Sequence, residues 1–156
     1  MLFLTIITFI VATLTLVVAV CSLCAINGQF RLNLVSSVLL HFSTNEKIHN
    51  TYYEKFEYAG EKQFQYDDKN FRGSNEEQEI DALLRIFSVV AIAWENKQIN
   101  LNDTLPIEYY ICRVVENTEL QKYLDWHSKW LESEKIKSHP FLVLRKLSSE
   151  ISKKKD

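Results

Sequence analysis

The side chains that could do chemistry are few and scattered. The four histidines are His41, His49, His127 and His139, and no two of them have the spacing of a metal site on one helix. Of the three cysteines, Cys21 and Cys24 form a CxxC inside an uncharged stretch, and Cys112 stands alone. In that setting the CxxC reads as a structural pair or an acylation candidate rather than a redox group. A single distant cysteine allows no disulfide framework and fits a reducing compartment. Asp67 and Asp68 are adjacent carboxylates that could attract a cation, but adjacent carboxylates are common on surfaces. Glu95 is placed to pair with Lys97 or to cap a contact. No glycine-rich phosphate loop, GxSxG or HExxH occurs. The sequence therefore nominates no catalytic, cofactor-binding or metal residue, and the chain reads as non-enzymatic with no cofactor. His127, on the apolar side of its segment, reads as a partly buried core histidine bonded to a neighbour.

The elements that must position these groups fall in two parts. All 38 charged residues, 18 basic and 20 acidic, lie after position 30. The net charge of −2 belongs to that second part and gives no basic face for nucleic acid. Before it runs LFLTIITFIVATLTLVVAVCSLCAI, long enough to cross a bilayer as a helix, which needs roughly 20 apolar residues. A cleaved signal peptide would start with positive charge, have a shorter apolar run and end in small residues. A lipoprotein leader would put a small residue before its cysteine, where Val20 and Leu23 stand. The segment is expected to be a retained anchor, residues 1–28. A helical soluble domain at 29–152 and a basic tail at 153–156 follow. Arg31 and Lys47 lie beyond the segment and place the domain in the cytoplasm by the positive-inside rule.

Three glycines and two prolines are too few for a strand-and-turn protein. The expected fold is all-α, a transmembrane helix followed by a bundle of four to six helices. Phe30, Leu34, Val38 and Phe42 mark a first amphipathic helix, separated from the anchor by a break at Asn27–Gly28 or continuous with it. Ser43-x-x-Glu46 predicts a capped helix carrying Ile48, Tyr52 and Phe56. Residues 60–73 read as a long polar loop with Phe64, Tyr66 and Phe71 tacked onto the core. The aromatic residues from Tyr52 to Tyr66 are core by default or an interface in part. Ser74-x-x-Glu77 opens a helix whose stripe, Ile80 to Trp94, is joined by Val89, Ile92 and Ala93, so it is expected to be apolar nearly all round and central. Asn100–Thr104 is a turn. Asp103 or Thr104 would cap a helix with Pro106 in its first turn. Thr118-x-x-Gln121 and Ser138 with Pro140 would open the last two. Lys153–Lys155 suit a helix C-terminus or could touch anionic lipid.

Residues 83–94, LLRIFSVVAIAW, resemble a family of small bacterial proteins with one N-terminal transmembrane helix and a helical domain of unknown function. Leu84, Phe87 and Ala91 match its pattern. Arg85 and Ser88 depart from it, standing where the family often has Asn and Glu. The likeness extends loosely through Ile99–Thr104 to Tyr123–Trp130. It implies a bacterial cytoplasmic membrane and no established activity.

The leading expectation is a membrane-anchored interaction or sensory module, with the bilayer and a protein partner or a second copy as its contacts. The alternative is an oligomeric, membrane-disturbing effector of a toxin or phage-defence type. The hydroxyl-bearing residues of the anchor could then meet across helices, with Ala12 and Ala19 allowing close approach. An enzyme built on Asp67 and Asp68 comes last.

Overall fold

The computed structural model describes residues 2–58, 60 and 63–154. Among the described residues the regular elements are all helical, and the chain divides into two units, residues 1–33 and 34–156.

Helix α1 runs Leu2–Thr44 without interruption. Asn27 and Gly28 do not break it: one glycine costs a helix only about 1 kcal/mol, and no proline is near. Leu14, Leu16, Val17, Val18, Val20, Leu23 and Ile26 are all exposed. The Ser22 hydroxyl donates to the Val18 carbonyl at 2.8 Å, which satisfies it within its own helix.

In the second unit the last turns of α1 contribute Val35, Val38 and Phe42 to a core. The Phe42 ring lies 5.4 Å from those of Tyr52 and Phe87. Helix α2 (Glu46–Tyr52) is capped by Asn45, which accepts from the Ile48 N–H, and not by Ser43. The Ser43 hydroxyl is spent on the Leu40 carbonyl inside α1. A π-helical turn, Tyr53–Glu57, follows. Within the stretch read as loop, Asp67 caps a short helix α3 (Asp68–Phe71), while Phe64 and Phe71 are buried in the core. Glu61 and Lys62 of that stretch lie outside the described residues.

Helix α4 (Asn75–Glu95) starts at the expected cap, Ser74 accepting from the Glu77 N–H. The Glu77 carboxylate reaches back to the Gly73 N–H at 2.6 Å, where φ of +76° suits glycine. Its inner face, Ile80, Leu83, Leu84, Phe87, Val90 and Ala91, is fully buried. Val89 and Ile92 are exposed, so α4 is flanked on one side and open on the other, not enclosed.

Asn100 and Asp103 form a capping box around a 3₁₀ turn, Leu101–Thr104. Pro106 then precedes α5 (Glu108–Val115) instead of lying in its first turn. Asn117 caps α6 (Thr118–Ser133) by accepting from both the Glu119 and Leu120 N–H groups, which displaces Thr118 from the role. His139 caps α7 (Pro140–Lys153) in place of Ser138. Pro140 forces the residue before it out of the helical region, and His139 is extended at φ −144°, ψ 143°. Helices α4 and α5 both pack on α7. Lys153 pairs with Glu150 and Lys154 reaches Asn102, so those two lysines are engaged within the unit. Lys155 and Asp156 of the expected tail lie outside the described residues.

Candidate functional site between α4, α6 and α7

Apart from His127 and His139, the residues singled out in the sequence are not brought together. Asp67 is a helix cap, and Asp68 accepts from the Tyr66 hydroxyl at 2.8 Å. Glu95 pairs with Lys146 at 3.0 Å and not with Lys97, whose backbone turns away at φ +58°. His49 is packed between the rings of Phe42 and Tyr53. Cys112 is buried against Ser148 and Ser152. Among the described residues, no group of three or more His, Cys, Asp or Glu is placed to hold a metal ion.

A different set converges. On α6, Tyr123, Trp126, His127 and Trp130 follow an i, i+3, i+4, i+7 spacing and so share one face. On α4, Glu77 and Asp81 are one turn apart, with Arg85 a turn further on. Arg72 comes from the turn after α3, and His139 with Phe141 from the start of α7. These side chains line a cavity of about 450 Å³, within the range of small-molecule sites.

The two carboxylates are held differently. Glu77 receives Arg72 Nε at 3.1 Å as well as the Gly73 N–H. Arg72 also lies face-on to Trp126, its guanidinium carbon 3.6 Å from the ring centre. Asp81 accepts from the Tyr123 hydroxyl at 2.8 Å. Its basic neighbour, Arg85, stands at 3.8 Å with a side chain 74 % exposed, a pairing worth little. Desolvation accordingly raises the Asp81 pKa above the ordinary carboxylate value, against the opposing pull of Tyr123 and Arg85.

The histidines form a pair across the α6–α7 connection, with ring centres 4.4 Å apart. The His139 Nδ1 accepts from the Phe141 N–H, so that ring carries its proton on Nε2 when neutral. His127 is only 8 % exposed, and its buried Nδ1 has no hydrogen-bond partner. Burial, followed by the neighbouring His139 and Arg72, pushes its pKa down to about 4. Burial also lowers that of His139. Both imidazoles are therefore neutral near pH 7, and the unpartnered nitrogen corrects the expectation that His127 is bonded to a neighbour.

Comparison of the chain with protein-family models, curated proteins and solved structures gives no match. The chemistry of the site is two carboxylates, two guanidinium groups, two neutral imidazoles and a wall of parallel rings. Trp126 and Trp130 lie 6.4 Å apart at 7°. Such a site can accept hydrogen bonds, balance positive charge and pack flat apolar groups. The sequence signal was present in the spacing of Tyr123, Trp126, His127 and Trp130. Its partners, Asp81 and Glu77, were hidden among the acidic residues that any helix start favours.

Proposed function

We propose that this protein is a membrane-anchored, non-enzymatic sensory module of a bacterial cytoplasmic membrane, with its helical domain in the cytoplasm and the α4–α6–α7 cavity as its receiving site. The observation that carries the anchor is the long apolar helix near the N-terminus. It is long enough to cross a bilayer, and among the described residues none of its apolar window is buried. Exposed apolar surface on that scale is costly in water and is satisfied by lipid. The orientation follows from Arg31 and Lys47 beyond the apolar run. The sensory role draws on the cavity, which offers acceptors and aromatic walls. Resemblance to small bacterial proteins with one transmembrane helix agrees with this reading.

The test is fractionation with topology reporters. The chain should stay in the membrane through alkaline carbonate, and a C-terminal fluorescent fusion should glow while a periplasmic phosphatase fusion stays inactive. Release by carbonate would end the anchor reading, and an active phosphatase fusion would reverse its direction. The oligomeric-effector reading gains nothing from Ser22, whose hydroxyl is satisfied inside α1. Strictly monomeric behaviour in native-membrane cross-linking would dismiss that reading.

A further inference from the structure

We propose that the cavity between α4, α6 and α7 binds an organic ammonium ion, a protonated amine on an aromatic or apolar body, with Asp81 as its counter-ion and Trp126, Trp130 and Phe141 as the wall for its body. This rests on the reading of that cavity as a receiving site.

The inference starts from unequal partnering. Glu77 has a guanidinium at 3.1 Å and a backbone N–H, so its charge is balanced. Asp81 has one hydroxyl and a solvent-exposed arginine at 3.8 Å. A half-buried carboxylate held that way lacks a close cation, and the raised pKa of Asp81 is the expected consequence. A ligand carrying positive charge supplies what the fold omits. Arg85, being exposed, can swing into solvent to admit it at small cost.

The second observation is independent of charge. His127 is more than nine-tenths buried in the cavity lining, and its Nδ1 has no hydrogen-bond partner. An unpartnered buried ring nitrogen calls for a partner, and with the ring proton on Nε2 the Nδ1 accepts from an ammonium group or a water that it orders. The third is the wall. The Trp126 ring already holds the Arg72 guanidinium at 3.6 Å, so this surface accommodates a cation face-on. Trp130, parallel to it and 42 % exposed, extends that surface toward the opening. An anion would meet two carboxylates and two neutral imidazoles, while Arg72 is engaged by Glu77 and Trp126 and Arg85 stands out toward solvent. A bare metal ion would find no group of three ligating side chains among the described residues.

The test uses the full chain in lipid nanodiscs and isothermal titration with three probes of one shape: phenethylammonium, 2-phenylethanol and phenylacetate. Phenethylammonium should bind at least about tenfold more tightly than the alcohol, roughly the value of one additional charge-assisted contact, and phenylacetate should bind least. Asp81→Asn should shrink the amine-to-alcohol ratio to about threefold or less, and Trp130→Ala should weaken amine and alcohol together. Thermal unfolding of both variants confirms that they are folded. Equal affinity for amine and alcohol, preference for phenylacetate, or an Asp81→Asn variant that keeps the full ratio would each overturn the ammonium assignment while leaving a ligand site. Absence of binding by all three probes would overturn both the assignment and the receiving-site reading. Neither result bears on the anchor, which carbonate extraction tests separately.

Discussion

The Tyr123 hydroxyl on α6 donates to Asp81 on α4 at 2.8 Å, joining two residues 42 positions apart. The bond ties the aromatic face of α6 to the acidic face of α4, and it is the shortest tether that Asp81 has. Burial and the adjacent carboxylate hold the Tyr123 hydroxyl protonated well above its ordinary range, so it remains a donor.

Tyr123→Phe keeps the ring and removes only that donor. The carboxylate is then left with Arg85 alone. The domain should lose about 1–3 kcal/mol, the usual cost of stranding a buried polar group. Denaturant titration should show a lower midpoint with an unchanged slope.

Asp81→Asn should act in the opposite direction on the free protein. A carboxyl whose folded pKa is raised binds its proton more tightly when folded. Stability therefore falls as pH rises through that range, and at pH 7 the ionised group bears the whole cost. Asparagine keeps an acceptor for Tyr123 without the charge. At pH 7 the variant should unfold a few degrees higher than the parent, and the difference should close at acid pH once Asp81 is protonated. A residue that stabilises the empty protein when its charge is removed fits a binding role.

His127 gives a pH dependence of the other sign. With its folded pKa near 4 and an ordinary value near 6.5, the unfolded chain binds the extra proton between those limits. Stability contributed by neutral His127 is present above that window and is lost as pH falls through it, by roughly 3 kcal/mol. His139 moves in the same direction, because burial lowers its pKa as well. The difference in unfolding free energy between the parent and His127→Gln should therefore change with pH between about 6.5 and 4.

The two faces of α4 should respond unequally. Leu84 is fully buried and Val89 is 46 % exposed. Leu84→Ala should cost about 2–5 kcal/mol through lost contacts and a cavity. Val89→Ala should stay within about 0.5 kcal/mol. Ser74→Ala, which removes the cap of the same helix, should cost about 1 kcal/mol. Thermal or denaturant unfolding separates the three.

The long apolar run, the helical class and the position of α4 with its Ser74 cap were legible in the sequence. They depend on interactions within a few residues: backbone bonding in an uncharged stretch, 3.6-residue periodicity and a serine three residues before glutamate. The caps that differ, Asn45, Asn117 and His139, each lie within two residues of the one expected. Neighbouring polar side chains compete for the same amides, and pairwise geometry decides the winner. Val89 and Ile92, outside the periodic stripe, suggested a helix enclosed on all sides, but apolar character alone does not tell which side of a helix finds a neighbour.

The candidate site divides in the same way. That Tyr123, Trp126, His127 and Trp130 share a helix face follows from their spacing alone. That α4 and the start of α7 line the same cavity depends on how the helices pack. That packing leaves Asp81 short of a close cation and the His127 Nδ1 without a donor. Desolvation and partnering are set by groups 12 to 46 positions away, and no local pattern of residues encodes them.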